Sequence, residues 1–368
     1  AVVTGIAHAV PAPMTQDDLW SGYFAEHYAN NPLAARVWRN AGIERRHGVV
    51  NPTVEDVCEL GTGARMERYV HEAIPLGHTA VQAALRAAGL RSENVGLFAV
   101  VSCTGYATPG LDILLARDLG MHPDVQRLVI GHMGCYAALP GLGAVSDFVA
   151  ARSRAAVLLC LELTSLHVQP PTATSQTPSP TQQDLQQMVA HALFSDAAAA
   201  VVVEPAPHAQ GTRQSATGPE VGAGLEVVDV VARTDAATSD LMTWDVTDLG
   251  FRMGLSPRVP DVLSQHVLGV VTALLGRNGL TVDDVAAWAV HPGGRRILEV
   301  AQERLGLADE AMQASYEVLR DYGNCSSATV LLVLEHIQKT QDLAPGDPVV
   351  AMAFGPGLTL YATLLRAR

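Results

Sequence analysis

Long apolar runs alternate along the chain with segments of helical periodicity. The runs contain few polar residues, which is typical of strands buried on both faces of a sheet. The segments that follow the first two runs, 111–120 and 138–152, carry apolar residues at helical spacing. This alternation predicts an α/β protein whose sheet is covered by helices on both sides. The four clearest strand runs are 95–102, 127–134, 155–163 and 196–205.

The second half of the chain repeats the pattern of the first. Residues 93–121 and 283–307 each predict a buried strand, a Gly/Pro turn and a helix that ends in Leu-Gly. Residues 125–149 and 316–337 each place a glycine and a polar residue before a helix. A duplicated βα unit explains this similarity and predicts two related halves. The predicted halves are residues 1–215 and 216–368.

One segment, 169–183, departs from this regular pattern. Its sequence, QPPTATSQTPSPTQQ, is rich in Pro, Ser, Thr and Gln. Because it offers little apolar surface to bury, it is expected to form an exposed loop. Such a loop is either a passive insertion or a lid at the entrance of a site.

Composition narrows the classes of function. The 368-residue chain has a net charge of −13, which argues against a nucleic-acid partner. No long apolar run is free of polar residues, and no basic segment precedes an apolar one at the start, so neither a membrane span nor a signal peptide is expected. The five cysteines are widely scattered, which argues against a disulfide framework or a zinc cluster and favours a reducing, cytoplasmic location.

Three polar residues are the strongest candidates for chemistry. If the halves pack as related units, Cys135 and Asn324 begin equivalent helices and His291 ends a neighbouring strand. A thiol at a helix N-terminus is expected to have a lowered pKa, and a nearby histidine can hold the thiolate as an ion pair. Histidine and asparagine can together donate hydrogen bonds to a carbonyl oxygen that gains negative charge. The set predicts acyl transfer through a cysteine thioester.

Each of these residue types also has a structural explanation. A cysteine before an apolar helix is often a core residue, a single histidine is often structural, and asparagine is a good helix N-cap. The repeat, which brings Cys135, His291 and Asn324 together, favours the chemical interpretation.

Several motifs resemble those of one enzyme family. GHMGCYAALPGL, VHPGG, YGNCSSATVLLVL and AFGPGLT are similar to motifs of the type III polyketide synthases, the chalcone-synthase-like branch of the thiolase superfamily. ALFSDAAAAVVV resembles another motif of that family, with Ser195 and Ala197 where glycines are usual. The resemblance spans nearly the whole chain. It implies a thiolase-like fold in which two related βαβαβαββ halves form a layered αβαβα core.

The resemblance also implies roles for matched residues. Cys135 resembles the nucleophile that carries the acyl group. His291 and Asn324 resemble the pair that polarises the malonyl thioester and drives decarboxylation. Phe194 matches a gatekeeper between the entry tunnel and the cavity. Three further residues, which resemble the tight loop that shapes the cavity wall, are Gly355, Pro356 and Gly357.

Other matched positions lie on the substrate side. Met253 falls where plant members carry a second gatekeeper phenylalanine, and a flexible methionine suits an adaptable pocket. His167 and Cys103 match positions that line the cavity; for His167 an additional acid/base role is the alternative. Thr108 falls where a residue reaches across the dimer interface in plant members, so a homodimer is expected.

The resemblance implies coenzyme A thioesters as substrates, an acyl-CoA starter and malonyl-CoA, and no separate cofactor. Arg45 and Arg46 match the basic segment at the tunnel mouth and are candidates for the phosphates of coenzyme A; the alternative is a solvated basic patch.

The expected activity is iterative decarboxylative condensation that ends in a pyrone, a resorcinol or a related aromatic product. Three alternatives remain open: a synthase that makes a naphthalene-type product from malonyl units alone, a ketoacyl-acyl-carrier-protein synthase III that condenses once, and a non-catalytic partner subunit. The retained Cys135 argues against the last of these.

Overall fold

The structure is a computed structural model that describes residues 1–170, 182–206 and 224–368. Most of the segment predicted as an exposed loop, and the predicted boundary at 215/216, lie outside these residues. The strands are β1 Val2–Ala9, β2 Pro13–Thr15, β3 Arg45–His47, β4 Val95–Ser102, β5 Gln126–Gly131, β6 Ala155–Glu162, β7 Ala197–Glu204, β8 Leu225–Thr234, β9 Met242–Thr247, β10 Gly250–Leu255, β11 Ala287–Val290, β12 Pro348–Gly355 and β13 Thr359–Ala367.

Helices follow most of the strands. The α-helices are α1 Gln16–Leu19, α2 Ala25–His27, α3 Pro32–Arg39, α4 Thr62–Ala88, α5 Leu111–Asp118, α6 Ala138–Arg152, α7 Gln182–Leu193, α8 Val259–Arg277, α9 Arg295–Leu305, α10 Asp309–Tyr322 and α11 Thr329–Thr340.

Nine strands form one mixed sheet with two distinct parts. Its order is β11-β12-β13-β8-β1-β7-β6-β4-β5. The parts meet where β1 pairs with β8 over two residue pairs, Val2 with Glu226 and Val3 with Leu225. The first part is built from the N-terminal strands and the second from the C-terminal strands, as a duplicated βα unit predicts.

Side-chain alternation along the strands divides the core into layers. In β6, Leu158 and Cys160 belong to a buried cluster with helices α6 and α11, whereas Leu159 and Leu161 belong to a cluster with α4 and α5. In β12 the alternate residues join either the α6/α11 cluster or a third cluster with α8 and α9. The helices α6 and α11 therefore lie between the two parts of the sheet, which gives the predicted αβαβα order.

The predicted strands are present, with one difference in burial. The run 127–134 was expected to be a buried strand, but β5 ends at Gly131 and lies at the edge of the sheet. Its Leu128 and Val129 are 38% and 58% exposed. The pattern of apolar residues does not distinguish a strand buried by its own chain from one that another molecule covers.

Two helical segments, Gly134–Arg152 and Val259–Arg277, are long and apolar enough to cross a membrane by length and composition. Both supply residues to the buried clusters, the first between the two parts of the sheet and the second on an outer face. Their packing inside the fold accounts for their apolar character.

Candidate active site

Cys135 lies in the short turn that joins β5 to α6. A 3₁₀ turn spans Gly134–Tyr136, and Cys135 is buried, with 4% of its surface exposed. Gly134 has a φ of 72°, and a side chain there would approach Pro356 Cδ to 2.8 Å. A glycine is therefore needed at this position, both for the left-handed backbone and for the close approach of the loop at Pro356.

Asn324 lies in the equivalent place, between α10 and α11. Its backbone N–H donates to Leu193 O at 2.9 Å, and its carbonyl accepts from Ser195 N at 2.9 Å. Its side-chain Oδ1 accepts from the Ser326 N–H at 2.9 Å, and Nδ2 donates to Gly293 O at 3.4 Å. These bonds fix the amide orientation, with one Nδ2 hydrogen left for a ligand.

His291 follows β11 and extends the pairing with β12, because its N–H donates to Met352 O at 2.8 Å. The residue is fully buried, and its ring packs edge-on against Phe354 with centroids 5.6 Å apart. Among the described residues, neither ring nitrogen has a hydrogen-bond partner. A buried imidazole without partners is costly unless a ligand satisfies it, which is the strongest single indication of a reactive site here.

One cavity brings the three residues together. This entrance cavity, of about 190 Å³, is lined by Cys135, His291 and Asn324. Cys135 Sγ and Asn324 Oδ1 are 4.0 Å apart. Distant parts of the sequence thus meet at one point, as the repeat predicts.

Two further cavities adjoin it. The inner cavity, about 130 Å³, also contacts Cys135 and is lined by Cys103, Thr104, His132, Ser326 and Pro356 among others. The distal cavity, about 60 Å³, is lined by His167, Trp244, Phe251 and Arg46 among others. Phe194 lines all three cavities, and Met253 lines the inner and distal ones. Both side chains therefore lie where cavities adjoin, and their gatekeeper role stays a prediction.

Burial controls the protonation of the site. It raises the pKa of the Cys135 thiol to about 12, although hydrogen bonds with Ser326 and Asn324 act in the opposite direction. It lowers the pKa of His291 to about 3. The expected lowering of the thiol pKa is therefore wrong, because loss of solvation outweighs the few free amides of one short turn. Thiol and imidazole are both neutral at pH 7.

A buried carboxyl group lies behind the inner cavity. Glu162 is fully buried, and burial raises its pKa. It accepts hydrogen bonds from the Cys103 N–H at 3.0 Å and from Thr104 Oγ1 at 2.9 Å, and it also bonds Ser327 Oγ at 2.5 Å. Burial together with this carboxyl group raises the pKa of the Cys103 thiol well above its usual value. Cys103 thus lines the cavity as a protonated thiol.

His167 is a wall residue of the distal cavity. Its Nε2 donates to Thr104 O at 2.7 Å, its Nδ1 accepts from Phe251 N at 3.0 Å, and the ring stacks on Phe251. Burial lowers its pKa to about 4. Because both ring nitrogens are occupied, the alternative acid/base role finds no support in this geometry.

The loop at Gly355, Pro356 and Gly357 closes against the nucleophile turn. Pro356 lines the inner cavity, and a side chain at Gly355 would approach Tyr136 Cδ1 to 2.9 Å. Thr108, by contrast, lines none of the three cavities and bonds Tyr106 at the surface.

The two candidate coenzyme A arginines differ sharply. Arg45 is exposed and paired with Asp321 at 3.0 Å. Arg46 is buried, donates to the carbonyls of His191 and Phe194, and stacks over Trp38 at 4.7 Å. Because these contacts within the fold occupy its guanidinium, the geometry does not support Arg46 as a phosphate contact.

Sequence reasoning missed five residues at these cavities. Arg295 and Arg296 line the entrance cavity at the start of α9, directly after the motif that carries His291. His132, Ser326 and Glu162 contribute to the inner cavity or its wall. The arginines could have been found from their position next to VHPGG; a buried glutamate at the end of a strand gives no comparable pattern.

Comparisons with known proteins agree with this arrangement. Residues 36–207 match the family description "Chalcone and stilbene synthases, N-terminal domain", and residues 230–368 match the corresponding C-terminal domain. The chain is 34% identical to 1,3,6,8-tetrahydroxynaphthalene synthase of Streptomyces peucetius subsp. caesius, over 92% of this chain and 84% of that protein.

Two further relatives extend the match to the full length. "Alpha-pyrone synthesis polyketide synthase-like Pks18" of Mycobacterium tuberculosis is 30% identical over 99% of this chain and 90% of its own length. The crystal structure of PKS-I from the brown alga Ectocarpus siliculosus superposes with a TM-score of 0.86 at 29% identity, covering 100% of this chain and 98% of that one.

The five-layer fold with its cavity between the halves defines an acyltransferase of the thiolase-like class. Within that class, the chain belongs to the chalcone and stilbene synthase family and is a type III polyketide synthase, which condenses malonyl-CoA units iteratively.

Proposed function

We propose that Cys135 carries the growing acyl chain and that His291 and Asn324 activate the malonyl unit. The observation that supports this most strongly is the buried, unpartnered imidazole of His291 in one cavity with Cys135 and Asn324. The hydrogen-bond donors of this cavity are therefore suited to a ligand that accepts hydrogen bonds.

Loading begins with both groups neutral. His291 takes the proton from Cys135 Sγ as the sulfur attacks the starter thioester carbonyl. Coenzyme A leaves as its thiolate and takes that proton, so the imidazole becomes neutral again. Histidine therefore acts as a base during loading, instead of holding a permanent ion pair.

Extension uses the same cavity. The malonyl carboxylate leaves as carbon dioxide, and the electron pair passes to the thioester carbonyl as an enolate oxygen. Neutral His291 and the Asn324 Nδ2 donate hydrogen bonds to this oxygen. The enolate carbon then attacks the acyl carbonyl on Cys135, and the Cys135 thiolate that leaves is protonated from solvent. The extended chain is then a coenzyme A thioester, and it returns to Cys135 by the loading reaction before the next extension.

The test is to load the enzyme with acyl-CoA starters and map the acyl group by peptide mass spectrometry. We expect it on Cys135, and we expect Cys135→Ala to abolish polyketide formation. Cys160→Ala, which changes a buried strand cysteine, is the matched control. Acyl groups found on Cys103 or Cys325 would contradict the assignment.

The same assay addresses starter and product. Pyrone or resorcinol-type products from an aliphatic starter are our preferred outcome, and a naphthalene-type product from malonyl-CoA alone is the second candidate. The second candidate is favoured by the similarity to a tetrahydroxynaphthalene synthase, the first by the similarity to a protein named for α-pyrone synthesis. A panel of starters with malonyl-CoA, analysed by mass spectrometry, distinguishes them.

Coenzyme A phosphates are expected to contact the arginines at the start of α9. Arg295 and Arg296 are exposed and line the entrance cavity, and within the described parts of the chain their ion pairs are with glutamates of their own helix. Such surface pairs are weak and are readily exchanged for a phosphate.

A homodimer is the assembly that the sheet edge favours. The exposed apolar residues of β5, Leu128 and Val129, form an edge that one chain alone leaves uncovered. Thr108 lies in the loop that follows β4, the neighbour of β5, so a partner subunit at this edge would lie close to it. The free state of all five cysteines supports a reducing, cytoplasmic environment.

A further inference from the structure

A histidine that the proposed mechanism does not use lines the inner cavity. His132 lies between β5 and the nucleophile turn, three residues before Cys135. Its φ of 62° places its backbone in the left-handed region, which most residues avoid. The residue is exposed, and within the described part of the chain its ring holds no hydrogen bond.

His132 lies in a different cavity from the groups proposed for decarboxylation. The entrance cavity contains His291, Asn324 and the arginines, but not His132. The inner cavity contains His132 together with Cys135. Because each new malonyl-CoA must approach through the entrance cavity, a chain that grows on Cys135 is displaced into the inner one.

Among the described residues, the inner cavity offers one imidazole that can accept and return a proton. The titratable groups that line it besides His132 are the thiols of Cys103 and Cys135, and burial raises the pKa of both. Glu162 lies behind Cys103 and is held by several hydrogen bonds. His132 is therefore the candidate among the described residues for proton transfer to the folded chain.

We propose that His132 is a catalytic residue for ring closure, which takes a proton from the poly-β-keto chain and returns it to the product. The inference rests on the proposed function, since it needs a chain on Cys135. In the step, the neutral imidazole accepts a proton from an acidic methylene or enol of the chain. The resulting enolate attacks a carbonyl of the same chain, and the imidazolium protonates the oxygen or sulfur that becomes negative.

The test compares ring-closed product with carbon dioxide released from malonyl-CoA. Ring-closed product and carbon dioxide are both measured in the wild type. If the wild type gives neither, the proposed function is overturned together with this inference. We expect His132→Gln and His132→Gly to lower the ratio of ring-closed product to carbon dioxide about a hundredfold, with linear, hydrolysed chains in its place. His122→Gln, which changes an exposed histidine paired with Asp124, is the matched control.

Chemical rescue separates proton transfer from backbone geometry. Glycine tolerates a φ of 62°, so His132→Gly removes the ring without straining the turn. We expect added imidazole to restore ring closure in His132→Gly and not in His132→Gln. An unchanged ratio in His132→Gly, or a loss that imidazole does not restore, would overturn the proposal. Thermal unfolding of each variant identifies any that fail to fold, and His132→Asn then replaces them, because Asn also tolerates this backbone.

Discussion

The amide of Asn324 and the imidazole of His291 differ in what they can do. An amide does not titrate, so in the proposed mechanism Asn324 only donates a hydrogen bond to the enolate, whereas His291 also accepts the thiol proton. We expect Asn324→Ala to leave acyl-Cys135 formation nearly intact and to reduce carbon dioxide release about a hundredfold, since one oxyanion donor is worth ~3 kcal/mol. His291→Ala is expected to impair both steps.

The two half-reactions are measured separately, by mass spectrometry of the acyl-enzyme and by release of labelled carbon dioxide. Asn278→Ala, which removes an amide bonded to Asp229 at the end of α8, is the matched control. Equal loss of loading and decarboxylation in Asn324→Ala would show that the separate roles proposed for Asn324 and His291 are wrong.

The protonation state of Cys135 gives a pH dependence with a definite sign. Because burial raises the thiol pKa to about 12, the reactive thiolate fraction grows as pH rises towards that value. We expect alkylation of Cys135, followed on its own peptide, to rise about tenfold per pH unit between about pH 7 and pH 9. His291, with a pKa near 3, contributes no titration in that range.

A stable thiolate–imidazolium pair would behave differently. Alkylation would then reach a plateau below about pH 7, and His291→Gln would abolish that plateau. Observation of such a plateau would contradict a neutral thiol and a neutral imidazole at this site.

At the scale of elements, Arg46 ties the end of α7 to α3. Its guanidinium donates to the carbonyls of His191 and Phe194 and stacks on Trp38. Arg46→Met leaves two buried carbonyls without donors, so we expect a loss of about 3 kcal/mol in the free energy of unfolding. Arg45→Met, which removes an exposed pair, is expected to cost less than about 1 kcal/mol. Urea unfolding measures both losses in free energy of unfolding. Equal losses would show that the contacts of Arg46 stabilise the fold no more than the exposed pair of Arg45 does.

The start of α9 supplies a prediction about substrate binding. Arg295→Ala and Arg296→Ala remove cations at the entrance cavity, so we expect the KM for acyl-CoA and malonyl-CoA to rise about tenfold per residue, with little change in kcat. Arg304→Ala, an exposed arginine in the last turn of the same helix, controls for general charge effects. Steady-state kinetics with both thioesters tests this, and an unchanged KM would place the phosphates elsewhere.

Elements with a strong local pattern could be predicted from the sequence, and contacts between distant elements could not. The apolar runs gave β4, β6 and β7 nearly to the residue, and the repeat brought Cys135, His291 and Asn324 to one cavity. The burial of Arg46 depends on carbonyls far along the chain, which no local pattern encodes. The raised pKa of Cys135 likewise depends on how deeply the packed halves bury the turn, and not on the helix start that the sequence shows.

At the scale of the whole molecule, the edge strand β5 carries apolar side chains that a single chain leaves exposed to solvent. Leu128 and Val129 lie exposed on the strand whose outer side carries no partner among the described residues. Unprotected edges of this kind pair with another chain or promote aggregation. A two-fold partner at β5 would cover these side chains and would lie beside the loop of Thr108, where we propose that it completes the inner cavity.

We predict that the protein sediments as a dimer at micromolar concentration. Val129→Lys should shift it towards the monomer, because burying an unpaired charged side chain at an edge-to-edge contact is unfavourable. Val246→Lys, on the exposed strand β9, makes the same change away from this edge and should leave the dimer intact. If Thr108 of the partner subunit also shapes the cavity, Val129→Lys should change the distribution of products as well as the mass. A wild type that sediments as a single chain would show that β5 is covered in some other way.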